Sequence, residues 1–167
     1  MPIDPKFSVS TFQNMDGSNF TTAGVETKIY SGKGNLSAYT GVATNFKNNA
    51  ISAIIDFKGS MPYGESNLSG SFRIRNNIND KSETVQFRIQ PANVNVPLNK
   101  NVNLYADPYV AMKVDYKTGD TTTNVGVFAG ASVKVGKASV FVEGQLYDVS
   151  KINSRTTGIN AGLSIPF

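Results

Sequence analysis

Residues 157–167 of the chain read TGINAGLSIPF, and every second side chain from Ile159 onward is apolar. The alternation runs without a break to the aromatic residue Phe167. Successive side chains of a β-strand point to opposite faces, so a period of two predicts a strand with one apolar and one polar face. The closing stretch therefore predicts a two-faced β-strand that ends on an apolar aromatic side chain.

The same alternation recurs in eight earlier segments, and helical spacing of apolar residues is found nowhere over a useful length. Clusters of Gly, Asn, Asp, Ser and Lys separate the segments and favour turns. A weaker segment from Phe7 to Phe12 raises the total to ten. The sequence thus predicts one all-β domain over residues 1–167. The apolar faces run over residues 23–29, 36–46, 51–61, 68–74, 85–91, 104–116, 125–135, 138–146 and 159–167.

Cysteine and histidine are both missing from the sequence, and their absence limits the chemistry. Without cysteine, the chain forms neither a disulfide framework nor a thiolate metal site. Without histidine, it lacks the usual general base near neutral pH and the commonest metal ligand. We therefore predict no enzymatic activity and no cofactor. The net charge of +4 is spread along the chain, so nucleic acid is not an expected partner.

The polar face of the predicted strands carries charges of both signs. Aromatic residues and glycines such as Tyr109, Gly126 and Phe128 share this face, which suits a crowded and curved barrel interior. We predict that its charged residues line the lumen of the barrel. They are Glu26, Lys28, Asp56, Lys58, Arg73, Arg75, Arg88, Asp107, Lys113, Asp115, Lys134 and Glu143.

Alternation alone fits two arrangements, a soluble barrel with its apolar face inward and a membrane barrel with its apolar face outward. The long segments span about 9 to 13 residues, close to the roughly 9 to 11 that a tilted strand needs to cross the hydrocarbon. No predicted helix is available to cap a soluble barrel. The sequence therefore favours a single up-and-down antiparallel transmembrane β-barrel of about ten strands, with eight as the alternative.

Glycine-containing links fix the expected register of neighbouring strands. A two-residue link that contains Gly136 has a glycine where a tight hairpin needs positive φ. A second link contains Gly64, and its register places Asp56 opposite Arg73. The first strand differs, because Phe7 falls on the apolar face only if a bulge or an odd-length loop follows.

The closing segment resembles the carboxy-terminal assembly signal of Gram-negative outer-membrane β-barrel proteins. The repeated two-faced strands extend the resemblance over most of the chain. It implies a porin-like barrel in the bacterial outer membrane, surrounded by outer-membrane lipids and inserted by the barrel-assembly machinery. The residues at the matching alternate positions are Ile159, Ala161, Leu163, Ile165 and Phe167.

The sequence departs from this family in lacking tryptophan and in having short loops. Its aromatic girdle is accordingly thin, and it consists of Tyr30, Phe46, Tyr116 and Phe167. No apolar signal core follows Met1, so we expect that a signal peptide has been removed from the exported chain.

The charged residues of the polar face could either catalyse a reaction or neutralise one another. Two pairs of acids, Asp56 with Asp107 and Asp115 with Glu143, would serve glycoside hydrolysis only if they converged in a cleft. We expect these acids to form salt bridges across the lumen instead. A basic patch of Arg73, Arg75 and Arg88 is interpreted in the same way, as the set of partners for the acids.

The leading hypothesis is a non-enzymatic outer-membrane barrel whose lumen is plugged or leaves a narrow, slightly anion-preferring passage for small solutes or ions. One alternative is a soluble barrel that binds an apolar ligand between the faces of residues 36–46 and 51–61. Another keeps the membrane barrel and assigns it anchoring or adhesion through its loops. Those loops lie at residues 13–20, 76–83, 117–124 and 147–156.

Overall fold

The computed structural model describes residues 5–14, 19–46, 48–64, 66–150 and 156–167. None of the described residues form a helix that is long and apolar enough to span a membrane. Strands account for most of this part of the chain. They are β1 (Pro5–Asn14), β2 (Asn19–Ser31), β3 (Asn35–Asn45), β4 (Ala50–Tyr63), β5 (Ser66–Asn77), β6 (Ser82–Gln90), β7 (Val94–Pro97), β8 (Val102–Asp115), β9 (Thr121–Val135), β10 (Ala138–Leu146) and β11 (Thr157–Pro166).

Ten of these strands form a closed antiparallel barrel with up-and-down order. The first and last strands close it, with Lys6 opposite Pro166 at one end of the ladder and Asn14 opposite Gly158 at the other. Strand β6 pairs directly with β8. The predicted all-β barrel of ten strands is therefore confirmed, and the alternative of eight strands is wrong.

Strand β7 is a short extra strand that the alternation did not predict. Strand β6 ends at Gln90, directly before Pro91, and proline has no N–H to donate to a sheet ladder. Pairing with β8 resumes at Val94 opposite Ala106, one residue out of step with the β6 register. The inserted residue reverses the side-chain alternation, as a bulge does. Val94 consequently faces outward, and Asn93 faces the interior.

The two predicted glycine turns and the register that they imply are confirmed. Gly136 has φ of 63° and Gly64 has φ of 59°, in the left-handed region that favours glycine. In the hairpin of β4 and β5, Asp56 lies opposite Arg73.

The pairing of β1 with β2 has the parity that the sequence pattern required, and β2 contains one bulge. Phe7 lies opposite Val25, and five residues, an odd number, separate the last paired residues Gln13 and Asn19. The register of β2 against β3 shifts between Lys28 and Tyr30. Because of this bulge, Ile29 and Tyr30 are consecutive residues that are both about half exposed, at 49% and 51%.

The apolar face of the barrel points outward. Ile55 is 44% exposed, whereas its neighbours Ile54 and Asp56 are buried at 5% and 1%. The soluble alternative required the apolar faces of residues 36–46 and 51–61 to enclose a cavity, and it is wrong because both faces lie on the outside. An apolar band that continues around a barrel is typical of a lipid-facing surface.

The two ends of the barrel differ in the length of their strand connections. At the terminal end, which includes the outer residues of β1 and β11, the connections contain two to four residues. At the opposite loop end they contain four to ten residues.

Exposed aromatic side chains mark both ends of the barrel. Tyr30, Tyr63 and Phe167 lie near the terminal end, with exposures of 51%, 70% and 71%. Phe46 and Tyr116 lie just beyond strands at the loop end, with exposures of 65% and 64%. Aromatic rings at the two edges of an apolar band correspond to the interfacial belts of membrane barrels. The predicted girdle is thus divided between the two ends.

Candidate functional site

The predicted charged residues alternate along their strands with outward-facing residues, and therefore face the barrel interior. Their strands surround the interior on most sides. The structure distributes them among several small groups rather than one continuous salt-bridge network. The full set is Glu26, Lys28, Asp56, Lys58, Arg73, Arg75, Arg88, Asp107, Lys113, Asp115, Lys134 and Glu143.

The first group contains the one ion pair between side chains that the structure describes. Arg73 donates to Oδ2 of Asp56 from Nη2 at 2.6 Å and from Nε at 3.2 Å. Asp56 lies opposite Tyr39 on its other side, and the ammonium of Lys58 sits 5.6 Å from the centre of the Tyr39 ring. This group joins β3, β4 and β5 on the interior face.

The second group surrounds Glu143 with neutral hydrogen-bond donors. Tyr105 donates to Oε2 at 2.9 Å. Gln145 and Asn160 donate to Oε1 at 2.5 Å and 2.9 Å. The carboxylate is therefore satisfied by three uncharged side chains from β8, β10 and β11.

Other acids also have neutral partners, which corrects the expectation of salt bridges across the interior. Ser37 donates to Glu26 at 2.6 Å, and Asn93 donates to Asp107 at 2.8 Å. Asp115 accepts the backbone N–H groups of the turn that follows β8. The bulge before β7 explains the contact of Asn93 with Asp107, because it turns Asn93 inward towards β8. Within the described residues, Asp56 is thus the one predicted acid of the five whose charge is neutralised by an ion pair.

Each acid of the two pairs considered for glycoside chemistry has partners of its own. Asp56 is engaged by Arg73 and Asp107 by Asn93. Asp115 is held in its turn, and Glu143 is held by its three donors. Within the described residues, no group of three or more His, Cys, Asp or Glu is arranged to hold a metal ion.

An arginine and two aromatic rings pack together on the interior side of three neighbouring strands, β6, β8 and β9. The Arg88 guanidinium on β6 lies 4.6 Å from the ring centre of Tyr109 and 4.7 Å from that of Phe128. The two rings stack with their centres 4.6 Å apart. Strand β8 separates β6 from β9 in the wall, so the contact with Phe128 spans the neighbouring strand on the interior side. The sequence placed both rings inside correctly.

A second set of rings fills the loop end, and the sequence did not identify it as a cluster. Phe12 is 3% exposed and lies 5.0 Å from Phe20 and 5.4 Å from Tyr147, measured between ring centres. Burial raises the pKa of Tyr147, which follows the end of β10. Arg75 on β5 reaches the Phe20 ring on β2 at 5.6 Å. That contact spans the interior, because β3 and β4 separate the two strands in the wall.

Three of the predicted lysines lie near the terminal end of the interior. Lys28, Lys58 and Lys134 are exposed, and none forms an ion pair with a residue that the structure describes. The carboxylates have donors of their own, whereas these ammonium groups have no anionic partner in that part of the chain. The interior consequently carries a surplus of available positive charge at this mouth.

Two hollows accompany these groups. A polar cavity of about 300 Å³ opens within the wall formed by β5, β6 and β8 at the loop end, and Arg73, Arg75 and Lys113 contribute to its lining. A larger apolar hollow of about 830 Å³ lies on the outer face, where Gly59 and Gly70 are opposite each other. The polar cavity is the one that interior side chains reach.

A closed antiparallel barrel with an apolar exterior, aromatic edges and a charged interior defines a membrane-spanning β-barrel. The resemblance to outer-membrane β-barrels is confirmed at the level of the fold. No protein-family model matches the sequence, and no curated protein matches it.

Three solved structures illustrate the likeness. A de novo designed transmembrane β-barrel has 11% identity and a TM-score of 0.47, covering 100% of this chain and 98% of its own. The KdgM porin has 12% identity and a TM-score of 0.45, covering 99% and 98%. A loop-deletion mutant of OmpT, an outer membrane protein of Vibrio cholerae, has 14% identity and a TM-score of 0.44, covering 89% and 54%. The present chain spans about half the length of that protein.

Proposed function

We propose that this chain is a non-enzymatic integral barrel of the bacterial outer membrane whose interior is nearly closed by its own side chains. The observation that carries the proposal is the contact of Arg88 with Tyr109 and Phe128 on the interior side of the wall, at 4.6 Å and 4.7 Å. A ten-stranded barrel is wider than one of eight strands, whose side chains fill the interior, and far narrower than an open porin. Bulky groups that project into the interior of such a barrel leave only a narrow passage.

The outer surface supports the membrane location. Side chains such as Val42, Phe57 and Val142 are 53%, 40% and 53% exposed, a costly arrangement in water and a favourable one in lipid. Short connections lie at the terminal end and longer ones at the loop end, as in outer-membrane barrels with periplasmic turns and extracellular loops. Outer-membrane lipids are the proposed surroundings, and the barrel-assembly machinery is the proposed partner during insertion.

The distribution of charge supports a weak preference for anions. Interior acids such as Glu26, Asp107 and Glu143 have hydrogen-bond donors within the wall. Interior lysines at the terminal mouth have no such anionic partner among the described residues. A permeating anion would therefore meet uncompensated cations, whereas a cation would meet carboxylates that are already engaged.

Gel mobility tests the membrane barrel. We expect the protein to refold only with detergent or lipid, and to migrate differently on a denaturing gel before and after heating. A monodisperse monomer in detergent-free buffer would contradict the membrane assignment.

Planar-bilayer recording tests the occluded interior. We expect small or absent conductance for the wild-type protein, with a slight preference for chloride over potassium. The double variant Arg88→Ala/Phe128→Ala should conduct more, because it removes two bulky side chains that project into the interior. Val133→Ala, on the outer face of β9, is the control that should leave the size of the conductance steps close to wild type. Large, unselective steps from the wild-type protein would overturn the proposal.

A further inference from the structure

We propose that the polar cavity at the loop end binds an oxyanion, namely a phosphate or carboxylate group carried by a small solute. The inference rests on the proposed function, because the solute must reach the interior from the loop end. The cavity has a volume of about 300 Å³. At roughly 30 Å³ per water molecule it has room for about ten waters, which suits a small solute rather than a polymer.

The strand register arranges the cavity wall as parallel rows of side chains. In one row, Arg73 on β5, Gln86 on β6 and Lys113 on β8 are neighbours. In the next row, Arg75 and Thr84 are neighbours, followed by Asp115. Uncharged polar side chains of β6 therefore lie between cations on β5 and a cation on β8.

Arg75 supplies positive charge that no carboxylate of the described residues balances. The Phe20 ring, 5.6 Å from the Arg75 guanidinium, orients that group but brings no countercharge. Among the residues that the structure describes, Arg75 forms no ion pair. Its fixed fork of donors is suited to phosphate and carboxylate oxygens.

The other charged residues of the wall leave the cavity positive. Arg73 uses Nε and Nη2 on a single oxygen of Asp56, so Nη1 is outside that ion pair. Lys113 has no ion pair with a described residue. Asp115 is the acid of the wall, and its Oδ1 accepts N–H groups from Lys117 and Thr118 in the adjoining turn.

These observations favour an anion as the missing partner. Three cationic side chains and one acid line a hollow that also presents hydroxyl and amide groups. Charge-assisted hydrogen bonds from two or three of these donors would hold an oxyanion while the uncharged donors of β6 complete its contacts. The sequence pattern predicted that these arginines neutralise the interior acids. Among the described residues, only Arg73 does so.

Direct binding tests the proposal. Inorganic phosphate, and succinate in parallel, are titrated into the refolded full chain in a nonionic detergent, and binding is followed by isothermal titration calorimetry. We expect saturable binding of at least one of them. Arg75→Gln should weaken that binding about tenfold or more, and Lys113→Gln should weaken it severalfold. The matched control Lys134→Gln removes the same charge from the terminal mouth and should change the affinity less than twofold.

The outcomes separate this inference from the proposed passage. Absence of saturable binding would overturn the proposed oxyanion site. Equal weakening of binding by Lys134→Gln would overturn it too, because general attraction by the net charge would then explain the binding. Each variant is checked for the wild-type heat-dependent gel shift, and Lys113→Gln alone decides the matter if Arg75→Gln does not refold. Binding is measured without a membrane barrier, so a failed conductance experiment contradicts the passage and leaves this result unaffected.

Discussion

The Nη2 atom of Arg73 lies 2.6 Å from Oδ2 of Asp56, and the two side chains differ greatly in their exposure to solvent, at 37% and 1%. The carboxylate is fully desolvated, whereas the guanidinium keeps access to water. A buried charge without a partner costs far more than a charge that water still reaches. The two halves of this ion pair should therefore respond differently to removal.

Replacing the arginine should destabilise the barrel more than replacing the acid. Arg73→Ala leaves Asp56 buried without its partner and should lower the free energy of unfolding by about 3 kcal/mol. Asp56→Ala leaves a partly exposed arginine and should cost about 1 kcal/mol. Guanidinium chloride titrations of the refolded protein in detergent measure both values. The double variant should lose less than the sum of the single losses, and a larger loss for Asp56→Ala than for Arg73→Ala would contradict this account.

The glycines beneath the interior rings should be less tolerant than glycines on the outer face. A Cβ at Gly126 would lie 2.5 Å from Cζ and Oη of Tyr109, and also against the Leu146 carbonyl oxygen. Gly126→Ala should therefore destabilise the barrel by about 1 to 3 kcal/mol through overpacking. At Gly144 the nearest atom, the Ala129 carbonyl oxygen, is 3.8 Å away, so Gly144→Ala is the matched control. Thermal unfolding in the same detergent compares the two variants. Equal losses of stability would show that packing against the Tyr109 ring is not the cause of the destabilisation.

A positive charge on the outer face should oppose insertion into a bilayer. Ile55 is 44% exposed near the middle of β4, so Ile55→Lys places an ammonium within the hydrocarbon. The expected loss is about 2 to 4 kcal/mol for folding into lipid vesicles.

Asn124→Lys provides the comparison for that experiment, because Asn124 lies opposite Ala111 on the interior side of the wall. It should fold into vesicles almost as well as the wild type. Urea titrations of reversible folding into vesicles give the free energy of folding of both variants. Unimpaired folding of Ile55→Lys would place the outer face at Ile55 outside the hydrocarbon.

The terminal phenylalanine should affect assembly more than stability. Phe167 is 71% exposed, and its N–H donates to the Pro5 carbonyl oxygen at 3.2 Å. Substitution to alanine keeps this backbone bond, so Phe167→Ala should change unfolding in detergent by no more than about 0.5 kcal/mol. If the closing segment acts as an assembly signal, the same variant should accumulate less folded barrel in the outer membrane of an expressing Gram-negative cell.

Fractionation and heat-dependent gel mobility measure that accumulation. Ser164→Ala changes a polar position of the same strand and is the control. Wild-type levels of folded Phe167→Ala in the membrane would remove the terminal residue from the assembly signal.

Local patterns determined much of the wall. Alternation with a period of two assigned residues to the two faces, and glycine at positions such as Gly136 marked where the chain reverses. Together with the link that contains Gly64, the alternation predicted that Asp56 lies opposite Arg73. The pattern did not reveal β7, because four residues after Pro91 are too few for a periodic signal and a one-residue bulge inverts their faces.

The sequence by itself determined the strands, their two faces and much of their pairing, because side-chain alternation and tight turns depend on neighbouring residues. Only the tertiary structure decided which face is outside, since inward and outward barrels share one period. It also decided which groups meet across the interior. Phe12 reaches Tyr147 because the first and last strands pair, and Arg75 reaches Phe20 because the wall curves around them. Such contacts join residues far apart in the chain, and they form only when the barrel closes.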